Sequence, residues 1–199
     1  MQNRTKSSLF MFLDYLLSLL LQFFGLFLFS WVLANDWGTV FYSAIFTLVL
    51  FGLIYSRAHK AAIKDVKHKE LRPVYTEGLR LAAPLAVFNL IIVVLYALLD
   101  AGIIPAKDVL VQTLYSFPDN QPRFATEVFL FDYIVPVVRL WFGSLVGFIG
   151  SATPALVLLI NPAVILAGGF AGYLAGTKKL YISEKIAEII QKIKEKFNE

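Results

Sequence analysis

At 199 residues, 58% of them hydrophobic and 16% charged, with a mean hydropathy of +0.70, the chain carries more apolar surface than a water-soluble domain can hide. It contains no cysteine, which excludes disulfides, thiolate metal sites and cysteine nucleophiles. The formal charge of +4 is modest but unevenly placed, with seven of the eighteen Lys and Arg between Arg57 and Arg80 and six after Thr177.

Five apolar stretches follow one another: Leu9–Ala34, Gly38–Ser56, Leu81–Ile104, Val128–Gly150 and Thr153–Ala175. A bilayer core of about 30 Å takes roughly 20 apolar residues in a helix, and each stretch meets or approaches that length. The expected fold is an all-α integral membrane bundle over residues 1–176, followed by an amphipathic helix over 177–199. The first stretch is preceded by Arg4 and Lys6, as a signal peptide would be. Its run of about 25 apolar residues exceeds a signal h-region of about 7–15, and no small-residue cleavage site follows, so it reads as a retained helix.

Positive residues beside a membrane segment resist translocation. Arg4 and Lys6 therefore place the N-terminus in the cytoplasm, Asn35–Trp37 in an external turn, the basic loop 57–80 inside and 105–127 outside. Hydropathy and charge then diverge. Five crossings put the C-terminal tail outside, with nine cytoplasmic Lys and Arg against eight external; a tail inside gives fifteen against two, with Arg139 left in the membrane. Charge thus requires an even number of crossings and an internal tail. The region from Val128 to Ala175, with Pro136, Arg139 and Asn161-Pro162, is where a segment would enter without spanning.

The basic loop is rich in helix formers up to Pro73, so the second helix is expected to continue into it. It reads either as a topology signal on a solvated helix or as a surface for anionic lipid or a partner. His59 and His68 lie nine apart and match no metal-ligand spacing. Thr76 offers an N-cap to the third helix, with Pro84 in its first turns. In the tail, Ile182, Ile186, Ile189, Ile190, Ile193 and Phe197 recur at helical spacing opposite Lys and Glu. Such a face lies on the membrane, packs on the loop or zips to a partner helix.

Ionisable groups at membrane depth are costly and mark candidate sites. Asp14 lies near the start of the first helix, where it can snorkel, and Asp100 near the end of the third. Arg139 is midway along the fourth stretch, and Asp132 stands seven residues earlier. Arg139 is expected to pair with Asp132 or Asp100, either as a structural contact or as part of a polar cavity for an anionic substrate. Gln22 and Asn89 are expected to hydrogen-bond between helices. Gly143, Gly147 and Ser151, and Gly168, Gly172 and Gly176, repeat every four residues. They point to an antiparallel hairpin of the last two stretches or to a homodimer contact.

No metalloprotease, nucleophile-elbow or phosphate-loop motif is present, and Asp14, Asp100 and Asp132 fall in different stretches. The expectation is a non-enzymatic protein without cofactor or metal, an accessory subunit or scaffold. Its partners would be the bilayer, with anionic lipid at 57–80, and another membrane protein or a second copy, not nucleic acid. A small transporter or channel around Arg139 is the alternative. Tyr55-Ser56-Arg57 before the loop with Asp65, the Glu77–Arg80 entry with Pro84, Arg139 after Asp132-Tyr133, and Gly172–Lys178 together resemble a group of small multi-pass membrane proteins of Gram-positive bacteria. The chain departs from that group in the loop, where His59 and Lys60 replace an aromatic-rich stretch. The resemblance implies a bacterial inner-membrane location and no particular chemistry.

Overall fold

The computed structural model describes residues 2–31, 33–67, 76–116, 124–145, 147 and 155–178. Its elements are α1 (Gln2–Leu28), α2 (Asp36–Lys67), α3 (Glu77–Asp100), β1 (Leu110–Ser116), β2 (Phe124–Phe129), α4 (Leu130–Trp141), a 3-10 turn (Gly143–Leu145), α5 (Ala155–Leu158) and α6 (Ile160–Thr177). Among the described residues, four helical stretches are long and apolar enough to cross a membrane: Thr5–Leu28, Asp36–Asp65, Glu77–Asp100 and Ala155–Thr177.

These helices are inverted relative to those of a water-soluble bundle. On α1 the buried seam is Met11, Tyr15, Ser18 and Gln22, while Phe10, Leu13, Leu17, Leu20, Leu21 and Phe24 point outward. On α3 the amide of Asn89 is buried among neighbours Val87, Phe88, Leu90 and Ile91 that are exposed. On α1 helical periodicity therefore turns the more polar stripe inward, the arrangement suited to an apolar surround.

Side-chain contacts fix the directions. Tyr42 of α2 reaches the Gln22 carbonyl and Arg57 reaches Asp14, so α2 runs antiparallel to α1. Ser8 bonds the Leu81 carbonyl and Tyr15 bonds Asn89, so α3 runs parallel to α1. Along α6, Gly168 lies on Phe51 and Ile54, Gly172 on Tyr55, and Gly176 on His59 and Ala62. α6 is therefore parallel to α2, and Tyr173 donates to Asp65 at 3.0 Å. With four alternating long helices, α1 begins, α2 ends, α3 begins and α6 ends at one end of the bundle. We call this the basic end. The opposite end carries the α1–α2 turn, with exposed Trp31 and Trp37.

Three sequence expectations change. The fourth stretch, 128–150, is not a spanning helix: its described part is the end of β2, the 12-residue α4 and a 3-10 turn. Pro136 inside α4 has no N–H for the Asp132 carbonyl, and Phe142 leaves the helical region at φ −103°, ψ 34°. The segment between α3 and α4 contains an antiparallel hairpin pairing Gln112 with Val128 through Ser116 with Phe124, with an irregularity between Leu110 and Gln112. The glycines of the fifth stretch pack on α2 rather than on the fourth stretch, as described above. In addition, the cap expected of Thr76 makes no side-chain hydrogen bond. The continuation of the second helix into the basic loop is present, to Lys67. The tail 179–199, with its proposed amphipathic face, and Ser151 fall outside the described residues.

Helix–helix approach is also close where glycine faces glycine. At Gly169 a Cβ would lie 2.6 Å from the Ala82 Cβ and 2.8 Å from the Gly78 carbonyl oxygen, and at Gly78 it would lie 2.6 Å from the Tyr173 Cβ. α3 and α6 therefore pack backbone to backbone.

Candidate functional site

α4 starts where the hairpin ends. The Phe129 N–H donates to Asp132 Oδ2 at 2.8 Å, holding the strand-to-helix corner. Phe131 stacks on Tyr96, near the end of α3, with ring centroids 6.1 Å apart. Ten residues later, Trp141 reaches Asn89, seven residues or about 10 Å deeper along α3. The chain then turns through Phe142 and Gly143 and comes back out. Thr47 donates to the Ser144 carbonyl at 3.2 Å, and the Gly147 N–H donates to Ser43 Oγ at 2.6 Å, one turn nearer the start of α2. Residues 130–145 and 147 thus trace a re-entrant segment that dips into the bundle and returns toward the same end.

Non-helical backbone at such depth needs its polar groups satisfied from elsewhere. Hydroxyls on α2 do this, Thr47 and Ser43 one turn apart, and the Tyr15 OH of α1 lies 3.1 Å from the Trp141 carbonyl, sharing its one proton between that oxygen and Asn89 Oδ1. Tyr15 is also the centre of a buried polar knot. Its OH is 2.9 Å from Asn89 Oδ1 and receives the Asn161 Nδ2 at 3.3 Å. Asn89 Oδ1 accepts a second bond from Trp141 Nε1 at 3.0 Å, and its Nδ2 donates to the Leu85 carbonyl at 3.0 Å. Four elements thereby meet through one side chain each. The knot is uncharged.

Two amide oxygens, Asn161 Oδ1 in the knot and Gln22 Oε1 two turns along α1, are buried without a donor among the described residues. Gln22 donates through Nε2 to Ser18 at 3.0 Å and faces Gly143, where a Cβ would lie 3.0 Å from Oε1. Asn161 stands just past the break between α5 and α6. Pro162 has no N–H for the Leu158 carbonyl, so the helical ladder is interrupted there.

The charged candidates are dispersed. Asp14 does not simply snorkel: Arg57 binds it bidentately, Nε to Oδ2 at 2.7 Å and Nη2 to Oδ1 at 2.8 Å, with the guanidinium 5.0 Å from the Phe10 ring centroid. Asp100 pairs with Lys107 at 3.1 Å at the opposite end. Asp132 serves the Phe129 N–H. Arg139 sits half-buried in the last turn of α4, where a cation favours the helix dipole. The glycines are divided too: Gly143 meets α1 at Gln22, Gly147 meets α2 at Thr39, and Gly168, Gly172 and Gly176 meet α2 farther toward the basic end. Sequence reasoning had not singled out Tyr15, Ser43, Thr47 or Trp141. Ser43 and Thr47, spaced i, i+4 in an otherwise apolar helix, were the visible signal.

Among the described residues, no group of three His, Cys, Asp or Glu is placed to hold a metal ion. No family model matches the chain, and no curated protein or solved structure matches it.

Proposed function

We propose that the chain is a non-enzymatic multi-pass protein of the bacterial cytoplasmic membrane, with four crossings, one re-entrant segment, and its N-terminus and C-terminal tail in the cytoplasm. It acts as an accessory subunit or scaffold through lipid and protein contacts at its basic end. The observation that carries this reading is the shared end of α1, α2, α3 and α6. Two Lys and Arg precede the apolar part of α1, seven lie in 57–80 and six follow Thr177, so fifteen of the eighteen belong to segments that start or finish there. An end so charged belongs on the side that positive residues do not leave. The outward Leu and Phe faces of α1 and α3 support burial in lipid.

The chain has no cysteine, so single cysteines report sidedness cleanly. A membrane-impermeant maleimide is expected to label Trp37→Cys only from outside, and Lys64→Cys and Lys194→Cys only from inside. External labelling at position 194 overturns the four-crossing topology. A purified protein that is monomeric, keeps no partner and ignores anionic vesicles overturns the scaffold role.

A second reading, a small transporter or channel, is favoured by one feature. The short helix α4 carries the half-buried Arg139, and among the described residues two amide oxygens, Gln22 Oε1 and Asn161 Oδ1, are buried without a donor. Solute flux in proteoliposomes that disappears in Arg139→Ala, with the fold retained, would establish it. Absence of flux for inorganic and organic ions alike removes it.

A further inference from the structure

The α2 face that packs on α1 changes character along its length. Phe46, Leu50, Leu53, Arg57, Lys60 and Lys64 follow one another at alternating spacings of four and three, a single seam on the helix. Phe46 packs on Gly25, and Leu50 is buried in the core cluster with Met11 and Tyr15. Arg57 closes that contact by gripping Asp14, and its side chain remains 32% exposed. Beyond it, Lys60 and Lys64 are exposed. The neighbouring edge of α1 has the complementary order. Lys6, Phe10, Leu13 and Leu17 recur at i, i+4, i+7 and i+11, all exposed, with the cation at the basic end and the apolar residues running inward.

A cationic mouth above an exposed apolar strip has the polarity of a glycerophospholipid turned inside out. We propose that the α1–α2 groove at the basic end is a binding site for one anionic phospholipid. The phosphate is held by Lys6, Lys60, Lys64 and the exposed edge of Arg57, and an acyl chain lies along Phe10, Leu13 and Leu17. Asp14 is the positioning residue: it fixes the guanidinium at the groove floor, and Phe10 beneath the cation keeps it from swinging into lipid. Asp65, the nearby carboxylate on α2, accepts a hydrogen bond from Tyr173 at 3.0 Å. A zwitterionic lipid brings its own ammonium to the mouth and is disfavoured by like charge. The site rests on the basic end lying at the cytoplasmic leaflet. Binding in detergent does not depend on sidedness, so a failed titration removes the site and leaves the topology standing.

The test is a titration of the full chain, in neutral detergent, with phosphatidylglycerol and with phosphatidylcholine, read by native mass spectrometry. One phosphatidylglycerol is expected to bind saturably, with phosphatidylcholine much weaker. Each basic residue near a headgroup is worth about fivefold in affinity. Lys6→Gln/Lys60→Gln/Lys64→Gln should therefore weaken binding on the order of 100-fold, and Lys→Arg at the same three positions should retain it. Lys192→Gln/Lys194→Gln/Lys196→Gln in the tail should change it by less than about fivefold. Equal affinity for the two lipids, or an equal loss from the tail triple, overturns the site.

Discussion

Replacing Gly172 by alanine tests the helix contact on which the four-helix arrangement depends. A Cβ at Gly172 would collide with the Tyr55 carbonyl oxygen and lie 2.9 Å from both the Tyr55 carbonyl carbon and its Cα. These are backbone atoms of α2 and cannot rotate away. Carbon pairs rest at about 3.5–4.0 Å, so α2 and α6 must separate by roughly 1 Å. The same movement opens the contacts at Gly168 and Gly176, and a gap of about 0.5–1 Å forfeits a quarter to a half of each contact's attraction. Overpacking of this kind costs about 1–3 kcal/mol, against a helix-propensity gain from Gly to Ala of about 0.5–1 kcal/mol. Gly172→Ala should therefore destabilise by about 1–2 kcal/mol. Gly52, on the same α2 helix, has nothing within 4 Å of its Cβ position. Gly52→Ala should keep the propensity gain alone, neutral to about 1 kcal/mol stabilising. Reversible unfolding in mixed micelles, followed by circular dichroism, measures both. If Gly172→Ala is as stable as the parent, or the two variants shift together, the close α2–α6 approach is refuted.

Two further changes probe the polar contacts. Tyr15→Phe removes the hydroxyl shared by Asn89, Trp141 and Asn161 and strands the Asn161 amide, at a cost of about 1–2 kcal/mol; in the Tyr15→Phe/Asn161→Ala double variant the losses should be less than additive, and strict additivity would separate the two residues energetically. Asp14→Asn leaves Arg57 without its carboxylate. Because the pair keeps 13% and 32% of its side-chain exposure, the loss should fall to about 1–2 kcal/mol, below the roughly 3–5 of a fully buried pair. Arg57→Gln on that background should recover part of it, and thermal unfolding showing no coupling would refute the pairing.

The long helices were legible because length and apolar content alone identify them. The fourth stretch was not, because hydropathy counts apolar residues without recording where the chain reverses. Pro136, the Phe142–Gly143 corner and the Thr47 and Ser43 hydroxyls that catch the returning backbone turn the described part of the 23-residue stretch 128–150 into a dip within the bundle. The charge distribution favours an even number of crossings for an independent reason, the energetic cost of moving lysines across a bilayer, and among the described residues four helices are long and apolar enough to cross. The hairpin was readable in principle. Val109-Leu-Val-Gln-Thr-Leu-Tyr and Phe124-Ala-Thr-Glu-Val-Phe are rich in β-branched and aromatic residues, and they flank the turn-forming Pro118-Asp-Asn.

The site was harder to see because attention goes to charge. At membrane depth a charge is conspicuous in sequence, yet here Asp14, Asp100 and Asp132 serve an ion pair, an end-of-helix lysine and a helix corner, three separate places. The centre of the molecule is instead built from a phenol, an indole and two amides. Neutral groups fit that role physically. Each can be satisfied by one or two neighbours at ordinary hydrogen-bond distances, whereas an ion buried there must recover a solvation energy many times larger. Asn89 illustrates the point: a single amide oxygen takes protons from α1 and α4 together, and so fixes the depth at which the re-entrant segment turns. Such a residue is indistinguishable in sequence from any polar residue in an apolar helix until the donors that converge on it are placed in space. The knot therefore explains why the segment stops where it does.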